Sequence, residues 1–181
     1  MSRLRITREE GITHIRLNRP DKKNAMDDDM IDALISAGNA IDVAETRVVI
    51  LSGEGDCFCA GIDLGGFSKM FGMDIEQLIV PRTHGKGTTN RWQEVAMIWR
   101  RLEVPVIAAL HGEVYGAGLQ LALGADIRIA SPDTKCAVME MKWGILPDMG
   151  GMVLLPRIVR DDVMRRLVYT ARPITGAQAE R

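Results

Sequence analysis

Two stretches of this 181-residue chain put small residues where a strand gives way to a helix. One is Gly116-Ala117-Gly118, which follows the apolar run Val104–Leu110 and opens a helical pattern at Leu119. The other is Ser52-Gly53-Glu54-Gly55-Asp56-Cys57-Phe58-Cys59-Ala60-Gly61-Ile62-Asp63-Leu64, after the apolar run Val48–Leu51. A helix start carries unpaired N–H groups and the positive end of the backbone dipole. Small side chains let another group approach those N–H groups closely. Such a turn suits an anion, or a carbonyl oxygen gaining negative charge. Two turns on neighbouring strands can aim two N–H groups at one oxygen, which is the geometry of an oxyanion hole. Spacing alone equally allows two ordinary turns whose glycines serve packing.

Other candidates are simpler. The loop Glu140–Asp148 carries a carboxylate at each end, and an exposed carboxylate is the plainer reading of Asp148 after Pro147. Lys22-Lys23 follow the break Asn18-Arg19-Pro20-Asp21. They read as a solvated surface, or else as a contact for phosphate groups. Cys57 and Cys59 form a C-x-C without a matching second pair, so no zinc site is expected. Cys59 and Cys136 read as small packing residues. His84 has no partner that the sequence names and is assigned no role.

Composition bounds the class. At 181 residues, with 46% hydrophobic and 26% charged residues, the chain reads as one domain with a sizeable core. A formal net charge of -1 gives no electrostatic case for nucleic acid. No apolar run approaches membrane-spanning length. The start, MSRLRITREE, has no apolar signal-peptide core, so a cytoplasmic location is the default expectation. A serine hydrolase is a poor reading, because no G-x-S-x-G turn is present.

The elements that must position these residues follow from period and punctuation. Leu4–Thr7 and Ile12–Leu17 alternate around Glu9-Glu10-Gly11 and predict a hairpin. Asp27-Asp28-Asp29 start a helix whose apolar face is Met30, Leu34, Ala37 and Ile41, ending near Val43. Strand Val48–Leu51 follows. Residues 65–90 are irregular: FSKMFGMDIEQL reads as a broken helix and PRTHGKGTTN as a loop. A helix over Arg91–Leu102 leads into strand Val104–Leu110. Past the glycine-spaced turn, strands are expected at Ile127–Ala130 and Cys136–Met139. Helical stretches then run from Gly151 to Ile158 and over Asp161–Tyr169. Hairpin, helix and strand in this order predict an α/β layered fold with crossover connections. Thr175 and Gln178 have capping-box spacing. A helix needs roughly 12 residues to be marginal alone, so the expectation is a domain that continues past Arg181, or a truncated form.

Three segments together resemble a known family: FCAGIDL (Phe58–Leu64), HGEVYGAGLQLALGADIRIA (His111–Ala130) and VMEMKWGILPDMGG (Val138–Gly151). They are similar to the crotonase superfamily, the enoyl-CoA hydratase/isomerase family, and NRPDKKNAM (Asn18–Met26) resembles its early CoA-contacting loop. The resemblance implies an α/β crotonase-like spiral of ββα repeats with two roughly perpendicular sheets. Residues 1–170 would form the core, and 171–181 the start of a C-terminal helical region that helps cover the acyl pocket. It implies trimers, often paired as hexamers, and an acyl-CoA thioester as substrate. Coenzyme A is then part of the substrate, and no separate cofactor or metal is expected.

The resemblance also assigns residues. The backbone N–H groups of Ile62 and Ala117 would hold the thioester oxygen as an enolate develops. Ala60, Gly61, Gly116 and Gln120 would line the pocket, and Lys22 and Lys23 would meet CoA phosphates. The hydratases' two glutamates fall at Gln120 and Glu140. Gln120 can hold a water by hydrogen bonds but cannot accept a proton, which weakens hydration by two cooperating carboxylates. The family's dienoyl-CoA isomerases instead imply Glu140 and Asp148 as an acid–base pair serving opposite ends of a shifting double bond. Asp63 reads as capping or orienting its loop. A non-catalytic acyl-CoA-binding paralogue is the alternative from another class.

Overall fold

The hairpin forms where the alternation places it. In the computed structural model, which describes residues 2–66 and 74–180, β1 (Leu4–Glu9) pairs antiparallel with β2 (Ile12–Leu17). Asp27 then caps α1 (Asp28–Asn39) by accepting from the Met30 N–H. The face Met30, Ile31, Leu34, Ile35 and Ala37 is buried. α1 stops short of Val43, which is exposed. Gly38 and Asn39 are poor helix formers, and the Ala40 N–H closes the last turn on Ser36 and Ala37 carbonyls.

β3 (Val48–Gly53) lies parallel to β2, β4 (Val106–Leu110) parallel to β3, and β6 (Ile127–Ala130) parallel to β4. The five-stranded sheet therefore runs β1-β2-β3-β4-β6. β4 starts two residues later than the apolar run because Pro105 has no N–H to give. Its carbonyl still accepts from the Val49 N–H at 2.9 Å.

β5 (Glu113–Tyr115), which the apolar pattern does not separate from the turn, opens a second sheet with β7 (Lys135–Ala137) and β8 (Ile174–Thr175). The run β4-β5-α4, with α4 at Ala117–Leu123, puts one strand in each sheet and then a helix. β6 and β7 repeat that division, which is the ββα rhythm of a spiral. β7 ends at Ala137 rather than Met139, because Met139 already has helical dihedrals and leads into a 3-10 turn at Glu140–Trp143.

Among the described residues of the irregular region, α2 (Ile75–Ile79) is helical and His84 and Thr89 close a turn. The rest of the expected broken helix, residues 67–73, lies outside the described residues. α3 (Arg91–Arg100) begins in a capping box between Asn90 and Gln93. Its Val95, Ile98 and Trp99 are buried in the main core. The predicted helical stretch Gly151–Ile158 divides into α5 (Gly151–Leu154) and a 3-10 turn at Leu155–Arg157, where Pro156 removes a donor. α6 (Asp161–Thr170) and α7 (Gly176–Ala179) follow, α7 with the predicted Thr175–Gln178 box.

Candidate active site

The two small-residue turns meet because one extended segment runs between two others. The Met26 N–H donates to Gly61 O at 2.8 Å, and the Asp63 N–H donates to Met26 O at 2.9 Å. On its other side, the Cys59 N–H donates to Glu113 O at 3.1 Å, and Cys59 O accepts from the Tyr115 N–H at 3.0 Å. In a parallel bridge, the residue between two such bonds turns its own N–H away. Ile62 occupies that place opposite Met26, so its N–H faces the side of Tyr115 and Ala117.

Ala117 is the first residue of α4, and its N–H has no partner within the helix. Gly116, at φ 51 and ψ -118, makes the turn from β5 into α4, a conformation that L side chains rarely adopt. A Cβ on Gly61 would stand 3.1 Å from Tyr115 O and 3.9 Å from Ala117 N. A Cβ on Gly118 would stand 2.4 Å from Cys59 O, so glycine there lets α4 lie directly on the extended segment. Among the described residues, no backbone carbonyl accepts from the N–H of Ile62 or Ala117.

Both turns open onto one cavity of about 590 Å³. Its walls include Lys22, Lys23, Ala60, Gly61, Ile62, Gly116, Ala117, Gln120, Glu140 and Asp148, so every residue assigned from the sequence lies on one surface. It brings together residues from four separate stretches of chain.

The Gln120 amide has a protein partner at each end. The Gly151 N–H donates to its Oε1 at 2.8 Å, and its Nε2 donates to Glu140 Oε1 at 2.6 Å. The other oxygen of Glu140, Oε2, is buried and has no hydrogen-bond partner. Burial pushes the Glu140 carboxyl above the usual carboxylate range. Nearby backbone N–H groups and the Gln120 amide work against that push, and the Asp148 charge adds to it. Asp148 is also pushed up by its packed surroundings. Solvent reaches Asp148, which limits that effect.

The two lysines separate. Lys23 pairs with Glu113 at 2.8 Å, whereas Lys22 has no anionic partner among the described residues. Asp63 has the orienting position read from the sequence: it accepts from the Gly65 N–H at 2.8 Å and pairs with Arg19 at 2.5 Å. That pairing holds its carboxyl below the usual range.

Asn24 escapes the sequence reading. It is buried at φ 54, accepts from the Arg19 N–H, and donates to the carbonyls of Glu54 and Cys57. It ties the lysine loop to the first small-residue turn. Its signal is an asparagine after Lys22-Lys23, since asparagine tolerates the left-handed region. Met139, Lys142 and Trp143 also line the cavity without having been singled out. Their only signal is closeness to Glu140, whose 3-10 turn presents them.

The family model for enoyl-CoA hydratase/isomerase matches residues 7–181. The chain belongs to the enoyl-CoA hydratase/isomerase family. It is 32% identical over 183 residues to the human mitochondrial Delta(3,5)-Delta(2,4)-dienoyl-CoA isomerase, covering 97% of this chain and 55% of that one. To the human mitochondrial methylglutaconyl-CoA hydratase it is 32% identical over 182 residues, covering 98% and 51%. A crystal structure from Thermobifida fusca YX, in complex with acetoacetyl-CoA, superposes with a TM-score of 0.86 at 31% identity, covering 99% of this chain and 70% of that one. The chain therefore has the crotonase fold and spans about half the length of these two curated relatives. An isomerase and a hydratase stand equally near it, so the site itself has to separate the two chemistries.

Proposed function

We propose that this chain binds an acyl-CoA thioester, stabilises its enolate and moves a double bond. The observation that carries this reading is the pair of unpartnered N–H groups, on Ile62 and Ala117, on the cavity wall that also holds Glu140. The thioester oxygen would accept from both N–H groups. A carboxylate, Glu140 or Asp148, takes a proton from carbon as the C–H electron pair moves into the enolate. The other, protonated carboxyl returns a proton at the far end of the conjugated system. A C–H bond breaks, another forms, and no atom is added. The two carboxyls end with exchanged protonation states and reset through water, which reaches Asp148. Removing one oxyanion donor typically costs about 10²–10³ in rate.

Isomerisation is favoured over hydration because Gln120 is committed to Gly151 and Glu140. Two carboxylates poising a water would need a carboxylate at position 120 beside Glu140, and an amide stands there. Of the two lysines, Lys22 has no anionic partner among the described residues and is the better candidate for a CoA phosphate, with Lys23 held by Glu113. On the family resemblance we also propose a homotrimer or hexamer for a protein that includes the C-terminal helical region.

The test is a panel of 2-enoyl-, 3-enoyl- and dienoyl-CoA substrates followed by absorbance and mass. An absorbance change without mass gain is expected. A mass gain of one water would identify a hydratase. Binding without turnover or α-proton exchange would identify a non-catalytic paralogue.

A further inference from the structure

Gln120 does more than occupy the place of a glutamate. A backbone N–H can only donate, so the Gly151 N–H, 2.8 Å away, fixes which end of the amide is oxygen. Nε2 must then face Glu140, 2.6 Å away, and its hydrogen occupies a lone pair of Oε1. Only Oε2 is left without a partner, and it is sealed from bulk solvent. A carboxyl whose one oxygen must accept keeps its proton on the other.

We propose that Gln120 is a positioning residue that confines the exchangeable proton of Glu140 to Oε2. This rests on the acyl-CoA reading above for its use, but not for its geometry. Glutamate at position 120 would behave differently. Its first oxygen would still accept from Gly151, while its second would share a proton with Glu140 Oε1. That proton would no longer be held on Oε2, and two carboxyls would stand in direct hydrogen-bond contact, an arrangement that can activate a water. Gln120 thus orders the proton transfer and biases the site against water addition.

Two readouts test the proposal. The first needs no turnover: titration of the Glu140 carboxyl by carbon NMR, its signal identified by loss in Glu140→Gln. Gln120→Met removes the side-chain donor, and Gln120→Glu replaces it with a like charge. The midpoint is expected to move upward in both, further in Gln120→Glu. An unmoved midpoint in both variants, whatever their melting temperatures, would overturn the proposal.

The second readout is α-proton exchange of acyl-CoA in D₂O. The double exchange Gln120→Glu with Glu140→Gln keeps both hydrogen bonds, from Gly151 and between the two side chains, so folding is preserved. It leaves an amide oxygen where Oε2 stood. Exchange is expected to fall about a hundredfold or more, and exchange at the wild-type rate would also overturn the proposal. Failure of wild-type protein to exchange any acyl-CoA proton would count against the acyl-CoA reading instead, with the titration still deciding the role of Gln120.

Discussion

Glu94 and Glu140 are both buried, at 2% and 6% exposure, yet the fold treats them in opposite ways. Each oxygen of Glu94 has a partner: the Thr89 hydroxyl donates to Oε2 at 2.5 Å, and the Arg101 guanidinium pairs with Oε1. These bonds fasten the His84–Thr89 turn to α3. Among the described residues Glu140 has no ion pair; one oxygen meets an amide and the other has no hydrogen-bond partner. A fully paired buried carboxylate holds structure together. A half-paired one costs stability and keeps a proton acceptor in a low-dielectric wall.

The contrast breaks if the two residues respond alike to substitution. Glu140→Gln is expected to lower double-bond isomerisation by about 10²–10⁴-fold, the usual contribution of a positioned acid or base. Its melting temperature should hold or rise, since a raised carboxyl is removed. A fall in stability without loss of turnover would make Glu140 a second Glu94. Glu94→Ala should do the reverse. It strands Arg101 and Thr89 and should cost about 1–3 kcal/mol in urea unfolding, with turnover per folded molecule unchanged.

Gly151→Ala probes the support behind Glu140. A Cβ there would stand 2.7 Å from Gln120 Oε1 and 3.0 Å from its Cδ. The amide must move, and an activity loss of about tenfold is expected, smaller than for Glu140→Gln, alongside an overpacking cost of about 1–3 kcal/mol. Steady-state kinetics beside a melting curve separates the two effects.

The pH dependence of stability has opposite signs at Glu140 and Asp63. Between the ordinary glutamate value and its own raised value, native Glu140 binds a proton that the unfolded chain has released. Its contribution to stability therefore falls as pH rises through that window. Asp63, held down by Arg19, works the other way: its stabilisation is present above the ordinary aspartate value and is lost as pH falls through its lowered one. Urea titrations across pH should lose the first slope in Glu140→Gln and the second in Asp63→Asn. The smallest effect belongs to the lysines. Lys22→Ala should raise KM for a CoA thioester more than Lys23→Ala does, leaving kcat unchanged.

Much of the fold was legible because it depends on local pattern. The β1–β2 hairpin, the Asp27 cap and the Thr175–Gln178 box are set by neighbours within a few residues. β5 was not legible: three residues between two glycine turns carry no period, and only pairing with β7 makes them a strand. Asn24 was missed for a related reason, since its partners lie on the turn at Glu54–Cys57.

The segments that bear the site are marked by residue order: the two small-residue turns, the lysine loop and the loop of Glu140 and Asp148. Residue type also ruled that position 120 cannot accept a proton. What that amide does depends on the packed fold. Its partners Glu140 and Gly151 lie 20 and 31 residues along the chain. Hydrogen bonds across such separations depend on how α4 packs against neighbouring turns, and no spacing rule encodes that. The same packing leaves Ile62, Ala117 and Glu140 Oε2 unpaired, and an unmade bond has no signature in the order of residues.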